Sequence, residues 1–208
     1  MITNRYSASK LLKHSSAQLV YFRRTGTNPP ITPNIIAGEK YQHSVSDKSR
    51  EDGHNVCDEM CGHYDFGDNA IYFCIDFVRE DGFFEVKSVN NPSSYEQWYF
   101  EASILQCAVY KALLNAMGGN TLVTPKFRLD EGYSYQSIEA NKSLPYKLIF
   151  GDVGTYIVDV TDGERLIRFL KEKINSLKDY NTARAFDAKY KHKEFSLLRN
   201  CFTYKKVS

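Results

Sequence analysis

Apolar and polar side chains alternate over residues 70 to 79 and again over 83 to 89, on either side of Asp81-Gly82. A period of two around an Asp-Gly step predicts two strands joined as a β-hairpin. Two other stretches carry the helical period. One runs from about 95 to 117, opened by a Ser94-x-x-Gln97 capping box and stopped by Gly118-Gly119. The second opens at Thr161-x-x-Glu164 and places Leu166, Ile167, Leu170, Ile174 and Leu177 on one face. A last helix is expected over about 180 to 199.

Elsewhere the pattern is weaker. Ser7 or Ser9 can cap a helix reaching about residue 22, with Leu11, Leu12 and Leu19 on its apolar side. Residues 25 to 34 hold three of the six prolines and form a loop, and a helix of modest length follows over 35 to 47. Residues 49 to 69 are polar without a clear period and suggest a long loop containing one strand. Strands are expected over 121 to 129, 145 to 152 and 155 to 161. The order α, α, β, β, α, β, β, β, α, α implies an α/β (α+β) fold, with a mixed central sheet flanked by helices in one domain over 1–208.

Composition narrows the class. With 208 residues, 42% hydrophobic and 14% aromatic, the chain can bury one good core. No apolar run approaches the ~18 residues of a membrane span. The N-terminus lacks the apolar middle of a secretory signal, so a cytoplasmic protein is expected. Five scattered cysteines fit reduced thiols better than a disulfide framework. The net charge of +2 conceals an asymmetry: from Arg165 onward there are twelve Lys or Arg against four Asp or Glu. Either a polyanion-binding surface or two solvated basic helices accounts for it.

The hairpin carries the chemistry. A two-residue turn at Asp81-Gly82 sets Asp76 opposite Lys87, and a four-residue loop over Arg79 to Gly82 sets it opposite Glu85. Both put Asp76, Glu85 and Lys87 on one face, with Phe84 and Val86 on the other, because strand side chains repeat every two residues. Carboxylates on adjacent strands can converge on one small hard cation, Mg²⁺ or Mn²⁺. Lys87 would then orient or deprotonate a water, or stabilise charge at phosphorus. An ordinary cross-strand ion pair is the plainer alternative, worth at most ~1 kcal/mol.

Asp76 followed by Glu85-Val86-Lys87 resembles the signature of the PD-(D/E)XK nuclease superfamily. More narrowly the chain is similar to the RecB-type branch, which includes CRISPR-associated and phage recombination exonucleases and follows Glu-x-Lys with a helical Gln-x-x-x-Tyr. Here that is Gln106-Cys-Ala-Val-Tyr110, one helical face apart by four residues. Tyr6-Ser7-Ala8-Ser9-x-Leu11 resembles the Ser-x-Ser start of such domains. Gly38-Glu-Lys-Tyr-Gln42-His43 resembles their Gly-x-x-x-His motif, the strict spacing falling on Gln42. His43 is the favoured ligand because imidazole binds metals more readily than an amide.

The resemblance implies a restriction-endonuclease-like αβββαβ core. Its metal ligands would be His43, Asp76, Glu85 and the Val86 carbonyl, holding Mg²⁺ or Mn²⁺. Its catalytic groups would be Asp76, Glu85, Lys87, Gln106 and Tyr110. It implies hydrolysis of DNA at ends or in single strands, in phage or bacterial replication, recombination or repair. A homo-oligomer or a partner protein is compatible with it. A nuclease-fold module that binds DNA or protein without cutting, and an RNA endonuclease, are the alternatives. Phe73 replaces the Gly that often precedes the motif Asp. Cys201 is the single cysteine after Cys107, so the branch's iron–sulfur cluster is not expected. Two further groups carry less weight. His54, Cys57, Cys61 and His63 are soft ligands without a common zinc-finger spacing. Trp98, Tyr99 and Phe100 suit core packing better than base stacking.

Overall fold

In the computed structural model, which describes residues 4–27, 31–89, 96–128, 132–190 and 193–207, the hairpin turns one residue earlier than its Asp-Gly step suggests. Strands β3 (Asn69–Arg79) and β4 (Gly82–Lys87) pair Arg79 with Gly82, Val78 with Phe83 and Phe77 with Phe84. Glu80 and Asp81 therefore form the turn, and continuing the alignment sets Asp76 opposite Glu85. Arg79 clamps the turn with two bonds to Asp81 (2.8 and 2.7 Å), and Lys147 adds a third at 2.6 Å. Gly82 is required for closeness rather than for a turn conformation. A Cβ there would lie 2.9 Å from the Pro145 carbonyl oxygen, which accepts the Phe83 N–H at 3.0 Å.

The remaining elements build outward from this hairpin. Ahead of it come β1 (Asn4–Ser7), α1 (Ala8–Lys13), α2 (Ser16–Thr25), α3 (Pro33–Glu51) and β2 (Cys57–Phe66). After it come α4 (Gln97–Ala116), β5 (Thr121–Arg128), β6 (Gly132–Glu139), β7 (Tyr146–Phe150) and β8 (Gly154–Val160). Helices α5 (Gly163–Ser176), α6 (Tyr180–Tyr190) and α7 (Glu194–Leu198) and strand β9 (Phe202–Lys206) complete the chain. Among the described residues nine strands form one mixed sheet, ordered β6-β5-β2-β3-β4-β7-β8-β9, with β1 parallel to the first half of β3. Helices flank it. The parallel β4–β7 pair joins the hairpin to the second half of the sheet.

Helix α4 is apolar around most of its circumference and is buried accordingly, with Ile104, Cys107, Ala108, Leu113 and Leu114 in the main core beside Phe73, Ile75, Phe83 and Leu148. Phe84 and Val86 do lie on the opposite face from this core. They join Phe77 in a smaller cluster against Tyr41 and Val45 of α3, with the Phe77 and Phe84 rings stacked at 4.7 Å. Ile75 faces one cluster and Phe77 the other, so side alternation along β3 breaks at Asp76.

Several expected boundaries move. The first helix is two, because Ser15 forms a capping box with Gln18 that starts α2 anew. The one strand expected within 49 to 69 takes up ten of those residues, 57 to 66, and pairs along β3. The final helix breaks into α6 and α7, and Asp187 of α6 caps α2 by accepting the Ser16 and Ala17 N–H groups at 2.7 and 2.9 Å. The expected cap Ser94 lies outside the described residues; α4 begins at Gln97, with Glu96 at the cap position making no side-chain cap bond. The expectation of reduced thiols throughout is corrected. Cys61 and Cys74 are directly paired positions of β2 and β3 and form a disulfide, while Cys57, Cys107 and Cys201 are free.

Candidate active site

The hairpin ladder stops after Phe77–Phe84, where a side chain replaces the backbone partner: the Val86 N–H donates to Asp76 Oδ2 at 2.7 Å. One residue on, Glu85 is buried, 1% exposed, and its Oε1 accepts from both Lys87 Nζ and Gln106 Nε2, the latter at 2.6 Å. Its Oε2 is buried with no hydrogen-bond partner. A buried carboxylate oxygen left without a partner carries a desolvation cost that a cation or a donor would offset.

These charges set one another's protonation. Burial and the nearby Glu85 carboxylate push the Asp76 pKa up to about 8, against the opposing pull of Lys87, the Val86 N–H and Lys13. Burial disfavours the Lys87 ammonium, but the Glu85 and Asp76 carboxylates outweigh it and hold its pKa above the ordinary lysine value. Lys87 therefore stays a cation and a hydrogen-bond donor. Burial, with Glu85, raises the Tyr110 hydroxyl as well, so that Tyr110 remains neutral, bonded to Ser9.

The Ser-x-Ser segment braces this centre. Ser7 caps α1 by accepting the Lys10 N–H and lies 3.0 Å from Ser9 Oγ, and Ser9 meets Tyr110 on α4. Asp76, Glu85, Val86, Lys87, Gln106 and Tyr110 all line one open cavity of about 840 Å³. That is within the size range of small-molecule and cofactor clefts.

His43 does not join them. It is exposed on α3, whereas Gln42 and Glu39 lie on the cavity wall. Each helical residue turns the side chain by about 100°, so a helix presenting Gln42 to the cavity directs His43 away from it. Gln42, the strict position of the motif, is thus the one on the cavity wall, and the expected ligand His43 lies off it. Among the described residues no group of three or more His, Cys, Asp and Glu side chains converges as a metal site. The acidic centre is thus a two-carboxylate pair, and a hard cation there would draw its other ligands from main-chain oxygen, water or substrate, as Mg²⁺ commonly does.

The soft-ligand group is dispersed. His54 pairs with Glu80, Cys57 accepts from Gln136, Cys61 is in the disulfide and His63 lies 3.6 Å from Asp65. The aromatic triplet divides. Phe100 packs in the core against Phe150 and Tyr156, Tyr99 is half-buried on the cavity wall, and Trp98 stands 64% exposed on that wall. Sequence reasoning assigned no role to Lys13 or Glu39, both on the wall. Glu39 sits within the Gly38 motif and offered a signal; Lys13, at the end of a six-residue helix, offered none.

No protein-family model matches the chain, and no curated protein matches it. Among solved structures it is similar to the crystal structure of SSO0001, with 13% identity over 85% of this chain and 78% of that one at a TM-score of 0.47. It is also similar to the alkaline exonuclease LHK-Exo from Laribacter hongkongensis. That structure shares 16% identity over 94% of this chain and 92% of the other, at a TM-score of 0.37. LHK-Exo in complex with dAMP gives 16% identity and a TM-score of 0.38, covering 94% and 91%. Among the described residues no helix is long and apolar enough to cross a membrane.

Proposed function

We propose that this chain is a divalent-metal-dependent nuclease of the PD-(D/E)XK type, RecB-like, hydrolysing phosphodiester bonds of DNA. The observation that carries the reading is the buried, unpartnered Glu85 Oε2 beside Asp76, with Lys87 and Gln106 both bonded to the other Glu85 oxygen. A polar atom left bare in a core is uncommon in native proteins, and the residue that carries this one lines the cavity. Asp76, Glu85 and the Val86 carbonyl would hold Mg²⁺ or Mn²⁺. The bound cation supplies charge neutralisation at phosphorus and lowers the pKa of a water.

The chain's own groups do the rest. Gln106 fixes the Glu85 rotamer, and the Val86 N–H fixes that of Asp76, so the pair is preorganised rather than assembled on binding. Lys87, bonded to Glu85 Oε1, is placed to donate to the attacking water or to developing negative charge. Tyr110 and Ser9 hold α1 against α4 behind it. The series α3, β2, β3, β4, α4 and, after the β5–β6 hairpin, β7 follows the αβββαβ order that the resemblance implies. Action at DNA ends, in replication, recombination or repair, rests on the resemblance.

The test is incubation with linear, nicked and circular DNA and with RNA, in Mg²⁺, Mn²⁺ or EDTA. Metal-dependent loss of linear DNA is expected, abolished in Lys87→Ala with binding largely retained. Cleavage undiminished in that variant rejects its role. Binding without cleavage under every condition would identify a non-cutting module, and cleavage confined to RNA would move the substrate class.

A further inference from the structure

Lys13 is the last residue of α1 and stands on the same cavity wall as Asp76, Glu85 and Lys87, close enough to feel the charge of all three. Among the described residues its ammonium has no hydrogen-bond or ion-pair partner. A lysine whose task was to neutralise the carboxylates would bond one of them, as Lys87 does, and Glu85 Oε2 stands buried and unclaimed nearby. Lys13 instead stays unbonded on the cavity wall, where burial and then the Lys87 charge lower its pKa against the pull of Glu85 and Asp76.

Its base is fixed. Ser7 caps α1, Leu11 anchors it in the main core, and Ser9 ties it to Tyr110 on the helix that carries Gln106. The position of Lys13 relative to the acidic pair is therefore set by the fold, while its flexible stem leaves the ammonium free to settle on a ligand.

Charge counting shows what the ligand would be. With a divalent cation on the pair and a phosphate at Lys13, Asp76 and Glu85 are ionised and balance protonated Lys87 and Lys13, so the cation leaves an excess of two positive charges. A phosphodiester carries one negative charge, and its pentacoordinate transition state for hydrolysis carries two. Without Lys13 the excess is one, matched to the ground state; with it the match is to the transition state, where added stabilisation raises rate rather than binding alone.

We propose that Lys13 is a substrate-contacting residue of this site, its ammonium donating to a non-bridging oxygen of the phosphodiester held against the Asp76–Glu85 pair. The proposal rests on the nuclease reading above and adds to it a second cation that the Glu-x-Lys pattern does not contain. It predicts a graded effect on binding and a larger one on turnover.

The experiment compares the full chain with Lys13→Ala, Lys13→Gln and Lys13→Arg, using a fluorescein-labelled oligodeoxynucleotide. Affinity is measured in Ca²⁺ over a KCl series, initial rates in Mg²⁺ and Mn²⁺, Mn²⁺ binding by calorimetry, and folding by thermal melts. Lys13→Ala and Lys13→Gln are expected to weaken DNA binding about tenfold and to lower the salt slope by about one. They should reduce kcat more than they raise KM and leave the melting temperature unchanged, with Lys13→Arg restoring most of the loss. Wild-type affinity, slope and rate in both neutral variants would overturn the proposal. So would tighter Mn²⁺ binding with DNA affinity unchanged, the mark of a lysine that only offsets the carboxylates. If the unaltered protein neither binds nor cuts nucleic acid, the nuclease reading itself fails; if it cuts and the Lys13 variants match it, only the assignment of Lys13 fails.

Discussion

The main-chain N–H of Val86 donates to the Asp76 carboxylate at 2.7 Å, taking the place of a rung in the β3–β4 ladder. The backbone thus orients one acidic side chain at the point where the two strands stop pairing. Glu85, the neighbour of Val86, is brought beside it by the same interruption. A hydrogen bond to an ionised carboxylate is stronger than one to a neutral acid, so this rung favours the charge that burial and Glu85 oppose.

That opposition has a pH signature. The Asp76 pKa rises from 3.8 to about 8 on folding, so between those values the folded protein holds a proton that the unfolded chain has released. The folded state binds more protons there, and its stability falls as pH rises through the window. Metal-free wild-type protein should lose melting temperature from pH 5 to pH 8.5 relative to Asp76→Asn, which cannot ionise. At pH 8.5 Asp76→Asn should melt higher by ~2–4 °C for each kcal/mol relieved, while losing cleavage. Mn²⁺ should stabilise the wild type more at pH 8.5 than at pH 6. Parallel melting curves for the two proteins across this range would remove the proposed strain from the site.

Gly82 gives a prediction that the turn alone does not. Its Cβ would sit 2.9 Å from the Pro145 carbonyl oxygen, a backbone atom that cannot swing aside. Gly82→Ala must push β4 from the start of β7, at a cost of about 1–3 kcal/mol. A drop in the urea midpoint is expected, with a matching fall in activity because Glu85 and Lys87 ride on the displaced strand. An unchanged midpoint would mean that β4 and β7 pack more loosely than this geometry requires.

The hairpin and α4 were legible because their signals are local and redundant. Alternation, an Asp-Gly step and Gln106 four residues before Tyr110 all agree. Register was not, since Asp81-Gly82 suits a turn while Gly82 is needed by Pro145, a neighbour 63 positions away that only the folded sheet supplies. The one strand expected within 49 to 69 could not be bounded, because one of its faces meets solvent and leaves a polar pattern that resembles a loop. The disulfide was hidden for a related reason. Cys61 and Cys74 become partners only once β2 and β3 are aligned.

The choice between Gln42 and His43 shows how chemistry and geometry can disagree. Imidazole is the better ligand, but α3 turns Gln42 toward the cavity and leaves His43 exposed. His43→Ala should keep wild-type cleavage and Mn²⁺ affinity. Gln42→Ala should lower cleavage several-fold, through loss of a donor and acceptor on the cavity wall. Calorimetry and initial rates on both variants distinguish the positions. A loss of Mn²⁺ affinity in His43→Ala would restore the histidine as a ligand and require α3 to rotate when metal binds.

Trp98 is the chain's single tryptophan and stands on the cavity wall, its indole N–H bonded to Glu96 and its ring edge-on to Tyr99 at 5.9 Å. An aromatic face that open costs apolar hydration and becomes favourable when a base stacks on it, by roughly 1–3 kcal/mol. Intrinsic fluorescence excited at the indole band therefore reports on this site alone. Titrating single-stranded oligonucleotide in Ca²⁺ should quench it and shift its maximum, with the same midpoint as the labelled-DNA assay. Trp98→Ala should weaken that binding by about tenfold or more, and Trp98→Phe by less, because stacking survives in the smaller ring. Emission that does not respond while DNA demonstrably binds would place the bases elsewhere and leave Trp98 as an exposed residue of the α4 start.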